Sequence, residues 1–313
     1  MTEHLLRWAE SRGYRVAWGP VTLFDVARNE LERRRDEGEI EEDFFRENLQ
    51  FDEAPALFPT ARDRILVLAM PRPAHSVEFT VGSQRLRAVL PPTYLHYRST
   101  FEDVRRDLAV SVLSSWQVRQ IEGPLKTLAS RLGLVRYGRN NLTYAPSIGS
   151  YLQLLGYLTD APLPIDAGWT AHEPSLLDEC EACRICQALC PTGAIAEERV
   201  LLHAQRCLTL ANESPGTWPS WVSPAVHHCL LGCLLCQRQC PANPALSIEA
   251  SGVTFDDEET RALLAGGQHN GQIWDRIRQK LERLGQPYQE AVIGRNLQGL
   301  LDVQRGACAQ TTL

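Results

Sequence analysis

Nine of the ten cysteines in this 313-residue chain lie between Cys180 and Cys240. Residues 180–191 read CEACRICQALCP and residues 233–241 read CLLCQRQCP, so each run closes on a Cys-Pro pair. A disulfide framework distributes cysteines so that they join distant loops, whereas concentrated thiolates are typical of metal binding. The pattern therefore predicts a region that is organised around metal and not by disulfides.

The first run has the spacing C-x2-C-x2-C-x3-C-P, which is typical of bacterial 4Fe–4S ferredoxins. It contains Cys180, Cys183, Cys186 and Cys190. Structural zinc usually takes two separated cysteine pairs, so four cysteines in one run fit zinc poorly. The first run therefore predicts an iron–sulfur cluster.

The second run repeats the spacing with one cysteine missing, because position 230 is Leu230. In two-cluster ferredoxins the fourth cysteine of a run binds the other cluster. The predicted ligands of the first cluster are then Cys180, Cys183, Cys186 and Cys240. Those of the second are Cys190, Cys233, Cys236 and one further thiol, for which the residues alone offer either Cys207 or Cys229.

Composition limits the other possibilities. Hydrophobic residues make up 44% of the chain and charged residues 22%, which is typical of a globular protein, and the net charge of −6 gives no electrostatic help in binding a polyanion. The charged N-terminus has no signal-peptide core and no apolar run approaches the length of a membrane span, so we expect a cytoplasmic protein without a membrane partner. Phosphate-loop, dinucleotide-binding and nucleophile-elbow motifs are not found.

Hydrophobic periodicity predicts an α+β fold in three parts. Residues 1–170 are expected to form an α/β cofactor domain, residues 171–250 a loop-rich cluster module, and residues 251–313 a helical segment that packs back on the core. In the first part we expect helices over 1–60, a buried strand over 63–71 and a hairpin around its Gly-Ser turn. A long helix over 101–122, a second helix from Pro124 to Gly133, and strands within 134–160 should follow.

Two adjacent clusters form a wire that passes single electrons. A bare ferredoxin needs far fewer residues than the 170 that precede this module, so the wire is expected to end at something bound by the first domain. That is the enzyme hypothesis. The alternative is an electron-transfer protein that reduces a partner corrinoid protein or enzyme and has no catalytic cofactor of its own.

The runs CEACRICQALCPTGAI, RCLTLANE and LGCLLCQRQCPANP closely resemble the double-cluster region of the epoxyqueuosine reductases, which are related to reductive dehalogenases. Residues 128–163 are similar to the segment that precedes this region in the family, so the resemblance covers roughly residues 60–250. It implies a nitroreductase-like domain that holds cobalamin against a ferredoxin-like module. It also implies that Cys207 is the remaining ligand, with Cys229 as a spare thiol and Cys308 as incidental.

The cobalamin site that the resemblance implies includes the loop of Arg139, Asn140 and Asn141, which could equally be a solvent-exposed turn. The aromatic residues Tyr137, Tyr144 and Tyr151 are further candidates for its lining, and packing in the core or at an interface is the favoured alternative for Tyr144 and Tyr151. No Asp-x-His-x-x-Gly motif offers a lower axial ligand, so the corrinoid is expected to bind base-off. In this state cobalt is easier to reduce.

The chain also departs from the family pattern. The family's proton donor is an Asp three residues before a Pro, whereas QIEGP has Ile121 at that spacing and Glu122 as the nearest acid. Glu122 is therefore the candidate catalytic residue, with a surface role as the alternative. The family's helical-repeat region associated with tRNA is not recognisable, which favours a small-molecule substrate over tRNA. Electrons are expected from an external low-potential donor of the ferredoxin or flavodoxin type.

Overall fold

The computed structural model describes residues 1–49, 63–197, 201–266 and 271–310, without the side chains of 224 and 306–310. Its helices are α1 (Thr2–Ser11), α2 (Leu23–Asp36), α3 (Glu42–Asn48), α4 (Tyr97–Ser111), α5 (Leu125–Arg131), α6 (Ile185–Leu189), α7 (Leu208–Glu213), α8 (Leu235–Arg238), α9 (Asp257–Ala265), α10 (Gln272–Arg283) and α11 (Glu290–Gln310). Its strands are β1 (Arg15–Pro20), β2 (Arg64–Pro71), β3 (Ala74–Val81), β4 (Gln84–Leu90), β5 (Val118–Gln120), β6 (Arg136–Tyr137), β7 (Thr143–Tyr144), β8 (Leu152–Thr159) and β9 (Ile248–Phe255).

The first sheet has the order β1-β2-β8-β5, and all its neighbouring strands are antiparallel. Side chains of β2 alternate between its faces: Ile65 and Val67 pack with residues of α2 and α5, while Leu66 and Leu68 pack with residues of α1 and α4. Helices on both faces explain why β2 reads as a continuous apolar run. The predicted buried strand is confirmed.

A second sheet brings together strands that are far apart in the sequence. It has the order β4-β3-β9, with β3 and β4 forming the predicted hairpin and β9 running parallel to β3. Its apolar face, which includes Phe79 and Phe255, packs with α9, α10 and α11. The C-terminal segment is thus not helical throughout, because residues 251–255 complete β9.

Two further expectations are corrected. The helix predicted over 101–122 ends at Ser111, and the chain returns to the first sheet as β5. Residues 15–20, expected to be helical, form strand β1. The predicted second helix is confirmed as α5, which is followed by Gly133 at φ +72°, a backbone conformation that favours glycine. The rest of the helix predicted up to residue 60 lies partly outside the described residues.

Among the described residues, no helix combines the length and apolar character that crossing a bilayer requires.

Candidate functional site

The two cysteine runs fold into matching loops around the short helices α6 and α8, which pack against each other. The amide of Cys190 donates to the Gln187 carbonyl at 3.2 Å, and the amide of Cys240 donates to the Gln237 carbonyl at 3.1 Å. Equivalent turns follow both Cys-Pro pairs. The repeated spacing in the sequence therefore produces a repeated structure, with two loops placed face to face.

One group of thiols combines three cysteines of the first run with one of the second. Burial, with the added effect of the nearby Cys180 and Cys240 thiols, raises the pKa of Cys186 to about 11. A small cavity of about 20 Å³ lies between these side chains. Its lining includes all four thiols of this first group: Cys180, Cys183, Cys186 and Cys240.

A second group combines the remaining cysteines of the two runs with Cys207. Burial raises the pKa of Cys233 to about 12, with contributions from the thiols of Cys207 and Cys190. Burial also raises the pKa of Cys236, and Cys233 and Cys207 add to that shift. The second group therefore consists of Cys190, Cys207, Cys233 and Cys236.

Cys229 lies apart from this exchange. Its side chain is fully buried, and burial raises its pKa, with Cys233 as the nearest thiol that contributes. The structure thus places Cys207 with Cys233 and Cys236, while Cys229 lies in the core. Cys308 lies outside the described side chains. The assignment of each thiol to a particular cluster stays a prediction.

The donor set fits two iron–sulfur clusters. Each group supplies four thiols, the number that a 4Fe–4S cluster takes. Among the described residues no three His, Cys, Asp or Glu side chains converge as they would around one metal ion. Arg139 lines the cavity of the first group, and its Nε is buried with no hydrogen-bond partner among the described residues. Such a donor is suited to a sulfur acceptor in that cavity.

Two side chains of the 138–144 loop contact the first group. The Tyr144 hydroxyl donates to Cys240 Sγ at 3.3 Å, and Asn140 Nδ2 donates to the Tyr144 oxygen at 2.9 Å. Burial raises the pKa of Tyr144, and the adjacent Cys240 thiol raises it further, so the phenol keeps its proton. These residues, predicted from the resemblance to contact cobalamin, lie against the cluster loop in this structure.

Residues of the β7–β8 turn form hydrogen bonds with the second cysteine loop, the one around α8. The Ser150 amide donates to Asn243 Oδ1 at 2.7 Å, and the Tyr151 hydroxyl donates to the Gln237 carbonyl at 3.2 Å. A Cβ atom on Gly149 would lie 2.4 Å from Asn243 Oδ1, so this approach requires glycine. Sequence reasoning missed Asn243, whose only signal is its position after a Cys-Pro pair.

The remaining predicted residues lie outside the cavity of the first group. Tyr137 is half-buried in β6, and burial raises its pKa. Asn141 adopts φ +58°, and its carbonyl accepts a hydrogen bond from Lys126 Nζ at 3.2 Å. Glu122 is exposed, and it lies close enough to Tyr97 to add to the rise that burial produces in the pKa of that phenol.

Lys126 lies on α5, near the Cys207 thiol of the cluster module. Its side chain reaches solvent, yet the surrounding protein lowers its pKa, an effect that the nearby Cys207 thiol partly opposes. The sequence has only one other lysine, Lys280, which pairs with Glu259. Sequence reasoning gave Lys126 no role.

A family profile described as "4Fe-4S double cluster binding domain" matches residues 179–243. These residues contain both cysteine runs and Cys207. The chain therefore carries a double 4Fe–4S cluster binding domain, as the spacing predicted.

Part of the chain is similar to curated proteins. Epoxyqueuosine reductase of Staphylococcus aureus is 30% identical over 133 residues, which are 42% of this chain and 33% of the relative. That of Escherichia coli is 34% identical over 119 residues, which are 38% of this chain and 29% of the relative. The matched part of this chain is similar to the epoxyqueuosine reductases. The matched region spans about a third of the length of these two curated relatives.

The fold agrees with this relationship over nearly the whole chain. The structure of epoxyqueuosine reductase from Streptococcus thermophilus superposes with a TM-score of 0.67 at 19% identity, covering 96% of this chain and 80% of that one. The predicted α+β class is therefore confirmed, and the predicted resemblance is confirmed by the sequence similarity to the two relatives.

Proposed function

We propose that this protein is an iron–sulfur reductase similar to epoxyqueuosine reductase. Two 4Fe–4S clusters would pass single electrons to a base-off cobalamin that reduces a small-molecule substrate. The observation that carries the proposal is the exchange of thiols between the α6 and α8 loops, since it puts two four-thiol groups next to each other. Cys186 and Cys236, one from each group, lie close enough for their thiols to interact.

The route of the electrons follows from what surrounds each group. Cys207 of the second group lies close enough to Lys126 on α5 to affect the pKa of that lysine, so electrons would leave the module through the second cluster, on that side. An external low-potential donor of the ferredoxin or flavodoxin type would supply them through the other cluster. The same module would serve an electron-transfer protein, which is the competing function.

Polar side chains that are close to other protein groups but still partly exposed to solvent support a cofactor site beside α5. The Tyr97 phenol and the Lys126 ammonium are such groups, and the exposed Glu122 carboxyl lies close to Tyr97. Corrin side-chain amides both donate and accept hydrogen bonds, so this donor set fits them. When bound, cobalamin would supply a cobalt centre that one-electron donors can reduce.

Glu122 remains the proposed proton donor. Its carboxyl lies close enough to the Tyr97 phenol to add to the rise in the pKa of that phenol. In this role Glu122 would give a proton to the substrate.

A small substrate is supported by charge. The net charge is −6, and Glu179 and Glu181 are exposed beside the first thiol group. Closely spaced phosphates would be repelled there. Reduction of epoxyqueuosine in tRNA is the alternative, tested by the same preparation with tRNA as substrate.

The deciding experiment is addition of cob(II)alamin to the anaerobically reconstituted full chain. We expect a stoichiometric change of the spectrum to the base-off form. Lys126→Met should weaken binding about tenfold if one charged hydrogen bond is lost. The matched control is Arg46→Met, since Arg46 is an exposed cation on α3. A reconstituted protein that carries both clusters and binds no corrinoid would identify an electron-transfer protein instead.

A further inference from the structure

The C-terminal helix α11 reaches the backbone that carries two thiols of the second group. Asn296 on this helix is fully buried, and its Nδ2 donates to the carbonyls of Asn212 and Leu230, both at 2.8 Å. Its Oδ1 accepts from Trp218 Nε1 at 3.2 Å and from Arg295 Nε at 3.0 Å. Every hydrogen-bonding position of this amide is therefore used.

The two carbonyls that Asn296 joins belong to different ligand-bearing segments. Asn212 lies on α7, whose N-cap is Cys207, and Leu230 lies three residues before Cys233. Asn212 adds a parallel link, since its own Nδ2 donates to the Gly232 carbonyl at 2.7 Å. Two buried amides thus set the spacing between Cys207 and Cys233.

Neighbouring contacts hold the same two segments. The Tyr94 hydroxyl donates to the carboxylate of Glu213 at the end of α7. The ring of Tyr94 also packs on Gly232, where a Cβ atom would come within 2.3 Å of its oxygen. Arg295 donates to the carbonyls of Ala211, Ser214 and Gly216 at 2.8–2.9 Å. The C-terminal helix α11 therefore contacts the backbone around the second thiol group, in addition to packing on the core.

We propose that Asn296 is a positioning residue for the second iron–sulfur cluster, holding Cys207 and Cys233 at the separation that the cluster requires. This inference rests on the proposed function, because it assumes that the second thiol group binds a cluster. The first group uses a different support, through Tyr144, Asn140 and Asn243. Loss of Asn296 should therefore affect one cluster and spare the other.

The test compares the wild-type full chain with Asn296→Leu after anaerobic reconstitution. Iron and sulfide per chain are measured, and the reduced proteins are examined by electron paramagnetic resonance. For the wild type we expect about eight irons and a spectrum broadened by two interacting reduced clusters. The variant should lose about half of its iron and show the narrower spectrum of one isolated cluster.

The matched control is Gln298→Leu on the same helix, since the Gln298 side chain is exposed and bonds only to Asp302 within the helix. It should keep the wild-type iron content and spectrum. Circular dichroism shows whether Asn296→Leu is folded. If it is not, Asn212→Leu decides in its place, because it removes the parallel link without altering α11.

The outcomes separate the two proposals. A folded variant that keeps all its iron and the interacting spectrum overturns the positioning role, as does a folded variant that loses both clusters equally. A wild-type protein that takes up no clusters contradicts the proposed function instead.

Discussion

At the scale of single residues, the hydroxyl of Tyr144 should set the potential of the first cluster. Asn140 donates to the phenol oxygen, so the phenol proton is directed to Cys240 Sγ. A hydrogen bond to a ligand sulfur stabilises the reduced, more negative cluster. We expect Tyr144→Phe to lower the first cluster's midpoint potential by on the order of 20–60 mV, as measured by a redox titration followed by paramagnetic resonance.

Tyr151→Phe is the control for this prediction. It removes a neighbouring hydroxyl of the same type, but that hydroxyl donates to the Gln237 carbonyl and not to sulfur. The potential should stay at the wild-type value. Equal shifts in both variants would show that the effect comes from general loosening of the loop.

His227 should make the protein sensitive to acid. Its ring packs on Trp218 with centroids 4.6 Å apart, and burial lowers its pKa to about 4. An unfolded histidine titrates near 6.5, so between these values the unfolded state binds more protons and stability falls as pH falls. When the pH is lowered from 8 to 5, the His227 side chain should therefore lower the free energy of unfolding by about 2 kcal/mol.

The measurement is chemical denaturation of the wild type and of His227→Phe at both pH values. The aromatic replacement keeps the stacking on Trp218 and removes the titration, so its loss of stability on acidification should be smaller by about 2 kcal/mol. His4→Phe serves as the control because His4 is exposed. An unchanged pH dependence in His227→Phe would contradict the prediction.

At the scale of elements, α9 depends on its capping box. The Asp256 carboxylate accepts from the Glu259 amide and the Glu259 carboxylate accepts from the Asp256 amide, both at 2.9 Å. We expect Asp256→Ala to lower the unfolding free energy by about 1 kcal/mol, because an orphan amide at the helix start loses its acceptor. Glu258→Ala, which removes only an exposed ion pair with Arg276, should change it by less than about 0.5 kcal/mol. Denaturant titration compares the two, and equal losses would rule out the cap as the cause.

Helices and strands were predicted correctly where the sequence signal lies within the element itself. The apolar run of β2, the Gly-Ser turn between β3 and β4, and Gly133 after α5 all lie within the segments they define. The predicted end of α4 was wrong. Val112 and Trp116 continue the helical spacing of apolar residues, although the helix ends at Ser111. Strand β1 was missed because its pairing with β2 joins segments far apart in the sequence. Such pairings leave no periodic signal within one segment.

The same limit applied to the candidate site. Cysteine spacing predicted seven of the eight thiols in the two groups, since ligand spacing is a local property, whereas Cys207 was implied only by the resemblance. Asn243 and Asn296 could not be predicted, because their partners Ser150 and Leu230 are brought near by the fold. Arg139, Asn140 and Tyr144 were singled out for a corrinoid, and the structure places them at the first thiol group.

At the scale of the whole molecule, the exchange of ligands between the two runs makes a sharp prediction about pairs of substitutions. If the thiols divide as the structure groups them, Cys190 and Cys236 bind the same cluster although they belong to different runs. The double variant Cys190→Ala with Cys236→Ala should then keep the other cluster, with about four irons per chain. Cys183→Ala with Cys190→Ala removes a ligand from each cluster and should keep almost no iron.

Grouping by run predicts the reverse, because Cys183 and Cys190 would then share one cluster. Iron per chain after anaerobic reconstitution of the two double variants therefore distinguishes the arrangements, and both variants remove two thiols. Cys229→Ala, which removes the buried thiol outside both groups, should keep about eight irons, whereas Cys207→Ala should keep about four. If Cys207→Ala kept both clusters and Cys229→Ala kept only one, the fourth ligand of the second cluster would be Cys229. The second cluster would then lie closer to the core that Asn296 supports.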